Sequence, residues 1–347
     1  MSALQAQLEV RYPIIQAPMG GGTSNPSLAA AVSNAGGLGS LGSAYDAPEK
    51  IATNIRELRK ASSAPVHVNL FIPLAPQPPV DVRPMLKLLA RAYGELGIPA
   101  PTEAPSSWPF TFNQQMDVVL GEGVEIFSFT FGMLERRYID ALHARKALVV
   151  GTATTLAEAQ ALAEAGVDAI ALQGSEAGAH RGSFLPSADS CVALATLIQQ
   201  CRAKLRVPVM AAGGIMNGDG IRAAIMLGAD VVQMGTAFLL CDESGAGDAY
   251  KDCVLNAKPE DTQITRAFSG REARGIRNRF MQQVEDAGVP IPAFPIQNDL
   301  TRSMRRHAAK INNPEYLSLW SGQNGSLGRR MPAARLVETL VQEAELA

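Results

Sequence analysis

The sequence predicts an α/β protein whose eight strand–helix units close into a parallel (β/α)8 barrel. Three observations point there. Short apolar runs alternate with helical patterns eight times between residues 12 and 235, a rhythm that joins parallel strands through crossover helices. Polar or glycine-rich signals follow many of these runs, whereas an open doubly wound sheet concentrates them at one switch point. Aromatic residues make up only 5% of the chain while glycine and alanine abound, which suits closely packed α/β layers.

The first apolar run is Tyr12–Pro18, followed by a helix over Pro26–Ala35 with Leu28, Ala29 and Val32 on one stripe. Gly37–Leu41 is the second run, with a helix from about Pro48 to Ala61. The third is Val66–Phe71. Val124–Phe129 precedes a helix around Leu134–Ala144, and Ala147–Gly151 precedes one starting after Thr154, the expected cap. Asp168–Gln173 leads to a helix near Ser190–Ala203, Val207–Ala212 to one near Gly218–Leu227, and Asp230–Gly235 is the eighth strand. The repeated Ala165-Gly-Val-Asp168 and Leu227-Gly-Ala-Asp230 patterns read as glycine helix ends feeding strands.

Two stretches break the rhythm. Pro73–Pro109 is proline-rich with a helical pattern at Arg83–Tyr93, and reads as an excursion over the barrel mouth. From Asp242 to Gly325 the pattern is irregular, basic and helical, too long for an ordinary loop. The expected organisation is therefore a barrel over 1–241, completed by a C-terminal segment 326–347 holding the helix Ala333–Glu345, and a small helical lid domain over 242–325.

Composition narrows the function. A net charge of -2 without long like-charge runs argues against nucleic acid or an anionic membrane as partner. Cys191, Cys201, Cys241 and Cys253 form no CxxC pair, so neither a metal site nor a disulfide framework is expected. No segment reaches the roughly 18 apolar residues that span a bilayer, and no signal peptide is evident. A soluble cytoplasmic protein is the expectation.

Chemistry gathers where strands end. After strand six comes Gln173-Gly-Ser-Glu-Ala-Gly-Ala-His-Arg-Gly182, a polar loop that carries one of only four histidines. His180 has the character of a general base, since an unperturbed imidazole titrates at about 6.5. Strand one ends in Gln16-Ala-Pro-Met-Gly-Gly-Gly22, where glycines let backbone approach a ligand. Strands seven and eight end in Ala211-Ala-Gly-Gly-Ile215 and Gln233-Met-Gly-Thr-Ala-Phe238, the usual barrel position for a phosphate. Asn69 and Gln173 close two apolar strands, and such amides either bond a heterocycle edge or satisfy local backbone. His67, His143 and His307 read as structural or solvent-facing, and Arg302, Arg305 and Arg306 as a solvated helix face. Arg271, Arg274, Arg277 and Arg279 lie in a loop-like segment and take no assigned role.

Together with Pro13-Ile-Ile-Gln-Ala-Pro-Met19, Ala35-Gly-Gly-Leu-Gly39, Gly151-Thr-Ala-Thr-Thr155, Gly275-Ile-Arg-Asn278 and Leu319-Trp-Ser-Gly-Gln323, these segments resemble the nitronate monooxygenase family, bacterial class I-like, over nearly the full length. The resemblance implies a TIM barrel holding FMN, and oxidation of alkyl nitronates such as propionate 3-nitronate by O2 to carbonyl compounds and nitrite. It implies flavin contacts at Asn69, Gln173, Gly178, Gly214, Gln233, Met234, Gly235 and Thr236, with Met19 beside the ring. His180 matches the active-site histidine that takes the carbon-bound proton of a neutral nitroalkane. A homodimer is the candidate assembly. The same strand-end motifs occur in FMN-dependent NAD(P)H oxidoreductases of the quinone reductase or enoyl-ACP reductase type, the alternative function; a non-catalytic flavin-binding module is the third reading. The chain departs from the family at Gly178-Ala179-His180, where Gly-Gly-His is usual. If position 179 takes positive φ, alanine is strained there.

Overall fold

The computed structural model describes residues 2–74, 80–104, 110–187 and 191–346. Among them eleven strands run in chain order: β1 (Ile14–Gln16), β2 (Ser40–Gly42), β3 (His67–Phe71), β4 (Ile126–Thr130), β5 (Leu148–Ala153), β6 (Ala169–Gln173), β7 (Ala179–His180), β8 (Val209–Ala212), β9 (Val231–Met234), β10 (Thr262–Thr265) and β11 (Ala273–Ile276). Eight are hydrogen-bonded in the order β1-β9-β8-β6-β5-β4-β3-β2, with every pairing parallel. A parallel bridge between Ile15 and Leu38 brings the two edges together. The expected (β/α)8 barrel is what the chain forms.

Strand alternation sorts the side chains. Val68, Leu70, Phe127, Phe129, Ile170 and Leu172 point outward into the layer shared with the helices. Ile15, Ile126, Val150, Ala169, Met210 and Val231 fill the barrel interior, joined by Leu4 and Leu8. Those two leucines belong to an N-terminal helix, Ala3–Gln7, and the turn after it, which the periodicity did not reveal. Ser2 caps this helix with a capping box. The interior is therefore apolar at the N-terminal end. Toward the C-terminal ends of the same strands the inward positions turn polar: Asn69, Ser128, Thr152, Gln173 and Gln233.

Two aspartates repeat one device. Gly166 and Gly228 take φ of 88° and 111°. Asp168 and Asp230, two residues on, accept from the backbone N–H of Val149 and Val209 at 2.8 and 2.9 Å. Each carboxylate thus ties one strand start to its neighbour.

The expected helices are present, with local differences. The second strand lies at Ser40–Gly42 rather than Gly37–Leu41, because Gly39 is taken up by close helix contact: a methyl there would overlap the Ala29 carbonyl. Thr155, not Thr154, caps the helix Leu156–Ala165; Thr154 donates instead to the buried Glu158 carboxylate. The helix expected near 190–203 spans Leu194–Lys204, and Ser190 lies outside the described residues.

The proline-rich excursion falls partly on residues 75–79 and 105–109, which lie outside the described residues. Its helix Arg83–Glu95 is joined by a second, Phe112–Gly121. Tyr93 Oη donates to the carbonyl of Leu300 at 2.6 Å, linking the excursion to the segment after the eighth barrel strand. That segment is mainly helical but adds β10 and β11, an antiparallel pair. β7 extends it as a third antiparallel strand, with Ala273 opposite His180 and Arg274 opposite Ala179.

Candidate active site

A cavity of about 630 Å³ opens at the C-terminal ends of the barrel strands. Met19, Asn69, Gln173, Gly178, His180, Gly214, Gln233, Met234, Gly235 and Thr236 all border it. Residues spread over more than two hundred positions are brought together because each sits at a strand end, and the barrel gathers those ends on one face.

Asn69 is positioned by a chain of hydrogen bonds. Its Nδ2 donates to Ser128 Oγ at 2.8 Å. Ser128 Oγ lies 2.8 Å from His67 Nε2, and His67 Nδ1 lies 2.7 Å from Ser40 Oγ. His67 is fully buried, and burial pushes its pKa down to about 3. It is therefore a neutral crosslink between three strands, as its structural reading expected. The Asn69 side-chain oxygen and the Gln233 amide have no hydrogen-bond partner among the described residues, although both residues line the cavity.

Gln173 is engaged differently. Its Nε2 donates to the His180 carbonyl at 2.9 Å and its Oε1 accepts from Gly182 N–H at 2.8 Å. Both ends of the amide hold the loop in which His180 sits. Arg181, fully buried, donates to the carbonyl of Gly174 at 2.6 Å. Glu158 accepts from the N–H groups of Phe184 and Leu185 at 2.5 and 3.0 Å. Three polar side chains, Arg181 and Glu158 fully buried and Gln173 half-buried, thus fix one polar loop.

The glycines divide by task. Gly213 and Gly214 take φ of 119° and 69° at the end of β8, a turn that a residue with Cβ adopts only with strain. At Gly178 the reason is contact: a methyl there would sit 2.5 Å from the backbone of Ser321 and Gly322. The Trp-Ser-Gly-Gln segment packs on the loop at this point, and Gln323 N–H donates to the Glu176 carbonyl at 3.0 Å. Thr236 Oγ1 accepts from Gly322 N–H at 3.0 Å.

His180 is half-buried on the cavity wall among Phe71, Phe131, Phe294 and Trp320, with ring centroids 5.7 to 6.2 Å away. Burial, then the positive charges of Arg271 and Arg305, push its pKa down to about 3. It is neutral at ordinary pH. Ala179 takes φ of 63° and Phe131 φ of 81°, so two non-glycine residues beside the histidine hold left-handed backbone.

One expectation is overturned. Arg302, Arg305 and Arg306 do not form a merely solvated face; all three border the cavity. Arg305 donates to the carbonyl and side-chain oxygens of Asn298 at 2.7 and 2.9 Å, and burial lowers its pKa to about 10. Their i, i+3, i+4 spacing showed a basic face, but not what that face meets. Trp320, Tyr250 and Asn324 also line the cavity and carried no assigned role.

The family model for nitronate monooxygenase matches residues 1–343. The chain belongs to the nitronate monooxygenase family. It is 41% identical to a protein named "probable nitronate monooxygenase" from Bacillus subtilis, covering 99% of each chain. A protein of the same name from Staphylococcus saprophyticus is also 41% identical, over 97% of this chain and 96% of the other. Among solved structures, a nitroalkane oxidase from Streptomyces ansochromogenes matches with TM-score 0.91 and 37% identity, over 99% of this chain and 98% of that one. FabK from Thermotoga maritima matches with TM-score 0.78 and 27% identity, over 100% and 96%. As a nitronate monooxygenase family member the protein is an oxidoreductase, and none of its described helices is long and apolar enough to cross a membrane.

Proposed function

We propose that the cavity holds FMN and that the enzyme oxidises alkyl nitronates with O2 to carbonyl compounds and nitrite. One observation carries the reading: a neutral histidine caged by aromatic rings shares a cavity with open amide atoms on Asn69 and Gln233 and with an arginine face. The wall suits FMN. Asn69 and Gln233 present open amide atoms for a heterocycle edge, while Met19, Ala171 and Met234 supply apolar surface. The turns at Gly213–Gly214 and Gly235–Thr236 would place backbone N–H groups around a phosphate. Gly178 and Gln173 border the same space. When bound, FMN supplies the electron acceptor that a nitronate requires.

The chain's own residues do the rest. Arg302, Arg305 and Arg306 attract an anion, and a substrate bearing a carboxylate besides its nitronate, such as propionate 3-nitronate, matches that charge. The aromatic cage excludes water. His180, neutral in its cage, accepts a proton only from a substrate that still carries one.

Oxygen consumption by the purified yellow protein on propionate 3-nitronate tests the proposal against NADH plus a quinone. Uptake on the nitronate with little response to NADH is the expected result. Rapid anaerobic bleaching by NADH or NADPH, with no uptake on nitronate, would replace it with the NAD(P)H oxidoreductase reading. A yellow protein inert to both would be a flavin-binding module.

A further inference from the structure

His180 has a partner that the motifs of its own loop do not show. The pairing of β7 with β11 brings the turn before β11 against the imidazole. Ser269, buried in that turn, places its Oγ 2.9 Å from His180 Nε2. The same hydroxyl donates to the Arg271 carbonyl at 3.0 Å and accepts from the Arg271 N–H at 3.3 Å. A hydroxyl has one proton to give. With that proton on the carbonyl, which can only accept, Ser269 meets the imidazole as an acceptor.

The consequence is a choice of tautomer. A neutral imidazole carries one N–H, and an acceptor at Nε2 keeps it there. Nδ1 is then the bare nitrogen, and it has no hydrogen-bond partner among the described residues. Arg271 anchors the arrangement. Its guanidinium lies 4.0 Å from the centre of the Phe131 ring and donates to the Ser183 carbonyl. This holds the peptide groups that orient the serine.

We infer that Ser269 is a positioning residue that locks His180 as the Nε2–H tautomer and leaves Nδ1 as the atom that meets a substrate proton. The chemical use of Nδ1 rests on the function proposed above; the tautomer itself does not.

The test is the long-range proton–nitrogen correlation spectrum of the 15N-labelled, flavin-loaded protein at neutral pH. The chain has four histidines, and His180→Asn assigns the signal by its loss. The expected spectrum shows His180 with Nε2 protonated and Nδ1 bare, and an Nε2 proton held long enough to be observed. Ser269→Ala should speed exchange of that proton by about tenfold or more, as loss of one hydrogen bond allows. Ser269→Thr, which keeps the hydroxyl, should restore it. A wild-type proton on Nδ1 overturns the inference, as does an Nε2 proton still protected in Ser269→Ala. If the alanine variant does not fold, Ser269→Cys, a weaker acceptor of similar size, takes its place with the same two outcomes. Oxygen uptake decides the function separately: the expected tautomer in a protein inert to nitronates would refute the function and leave this inference standing.

Discussion

Ala179 holds backbone that glycine adopts freely and alanine does not. Its φ of 63° places it in the left-handed region, paired across from Arg274. Relief of that strain competes with the extra entropy glycine loses on folding. Ala179→Gly should therefore stabilise the protein by up to about 1 kcal/mol, seen as a higher urea midpoint with unchanged slope. A lower midpoint would show that the methyl contributes packing worth more than the strain. The neighbouring His180 calls for a kinetic test. His180→Asn should lower turnover of neutral nitroalkanes by about a hundredfold, the usual loss of a general base, and that of preformed nitronates by far less. Equal losses would remove the proton-transfer role.

The element that most changes the picture of the site is the helix Arg302–Lys310. It turns Arg302, Arg305 and Arg306 toward the cavity, and Asn298 orients the Arg305 guanidinium. Loss of one charge-assisted hydrogen bond weakens binding by about tenfold to a hundredfold. Arg305→Met should raise KM for propionate 3-nitronate by that factor and KM for ethyl nitronate much less. A uniform rise would mean that the arginine shapes the cavity instead of recognising a carboxylate. A second element-level contact is the Trp-Ser-Gly-Gln segment against Gly178. A Cβ at 178 meets backbone on both Ser321 and Gly322, so Gly178→Ala should destabilise the fold by about 1–3 kcal/mol through overpacking, measured by thermal unfolding.

For the whole molecule, the two low-pKa histidines set an acid limit. His67 and His180 both fall to about 3 through burial. Unfolding frees them to titrate near 6.5, so below that pH the unfolded chain binds more protons and stability falls. Above about 6.5 this contribution is flat; between about 6.5 and 3 it declines as pH drops. Each histidine adds about 1.4 kcal/mol per pH unit at full slope. Urea midpoints between about pH 6 and 5, above the carboxylate range, should fall accordingly, and His67→Gln should reduce the slope by one proton's worth. An unchanged slope would mean that His67 is already protonated in the fold.

The sequence by itself determined the barrel, because strand alternation, glycine helix ends and capping residues act within a few positions of one another. It also placed the loops bearing Met19, Asn69, His180, Gly214 and Gln233 at strand ends, which a barrel necessarily gathers. What those residues touch was beyond it. Gln173 looked equally suited to a ligand or to backbone, and the fold commits both ends of its amide to the loop. Ser269 lies 89 residues from His180, and no local pattern joins them until β7 pairs with β11. The arginine face was visible as a charge pattern, but solvent and cavity look alike from one helix. Backbone preference is local and can be read along the chain; a side chain's partner depends on packing between distant segments, and only the tertiary structure decides it.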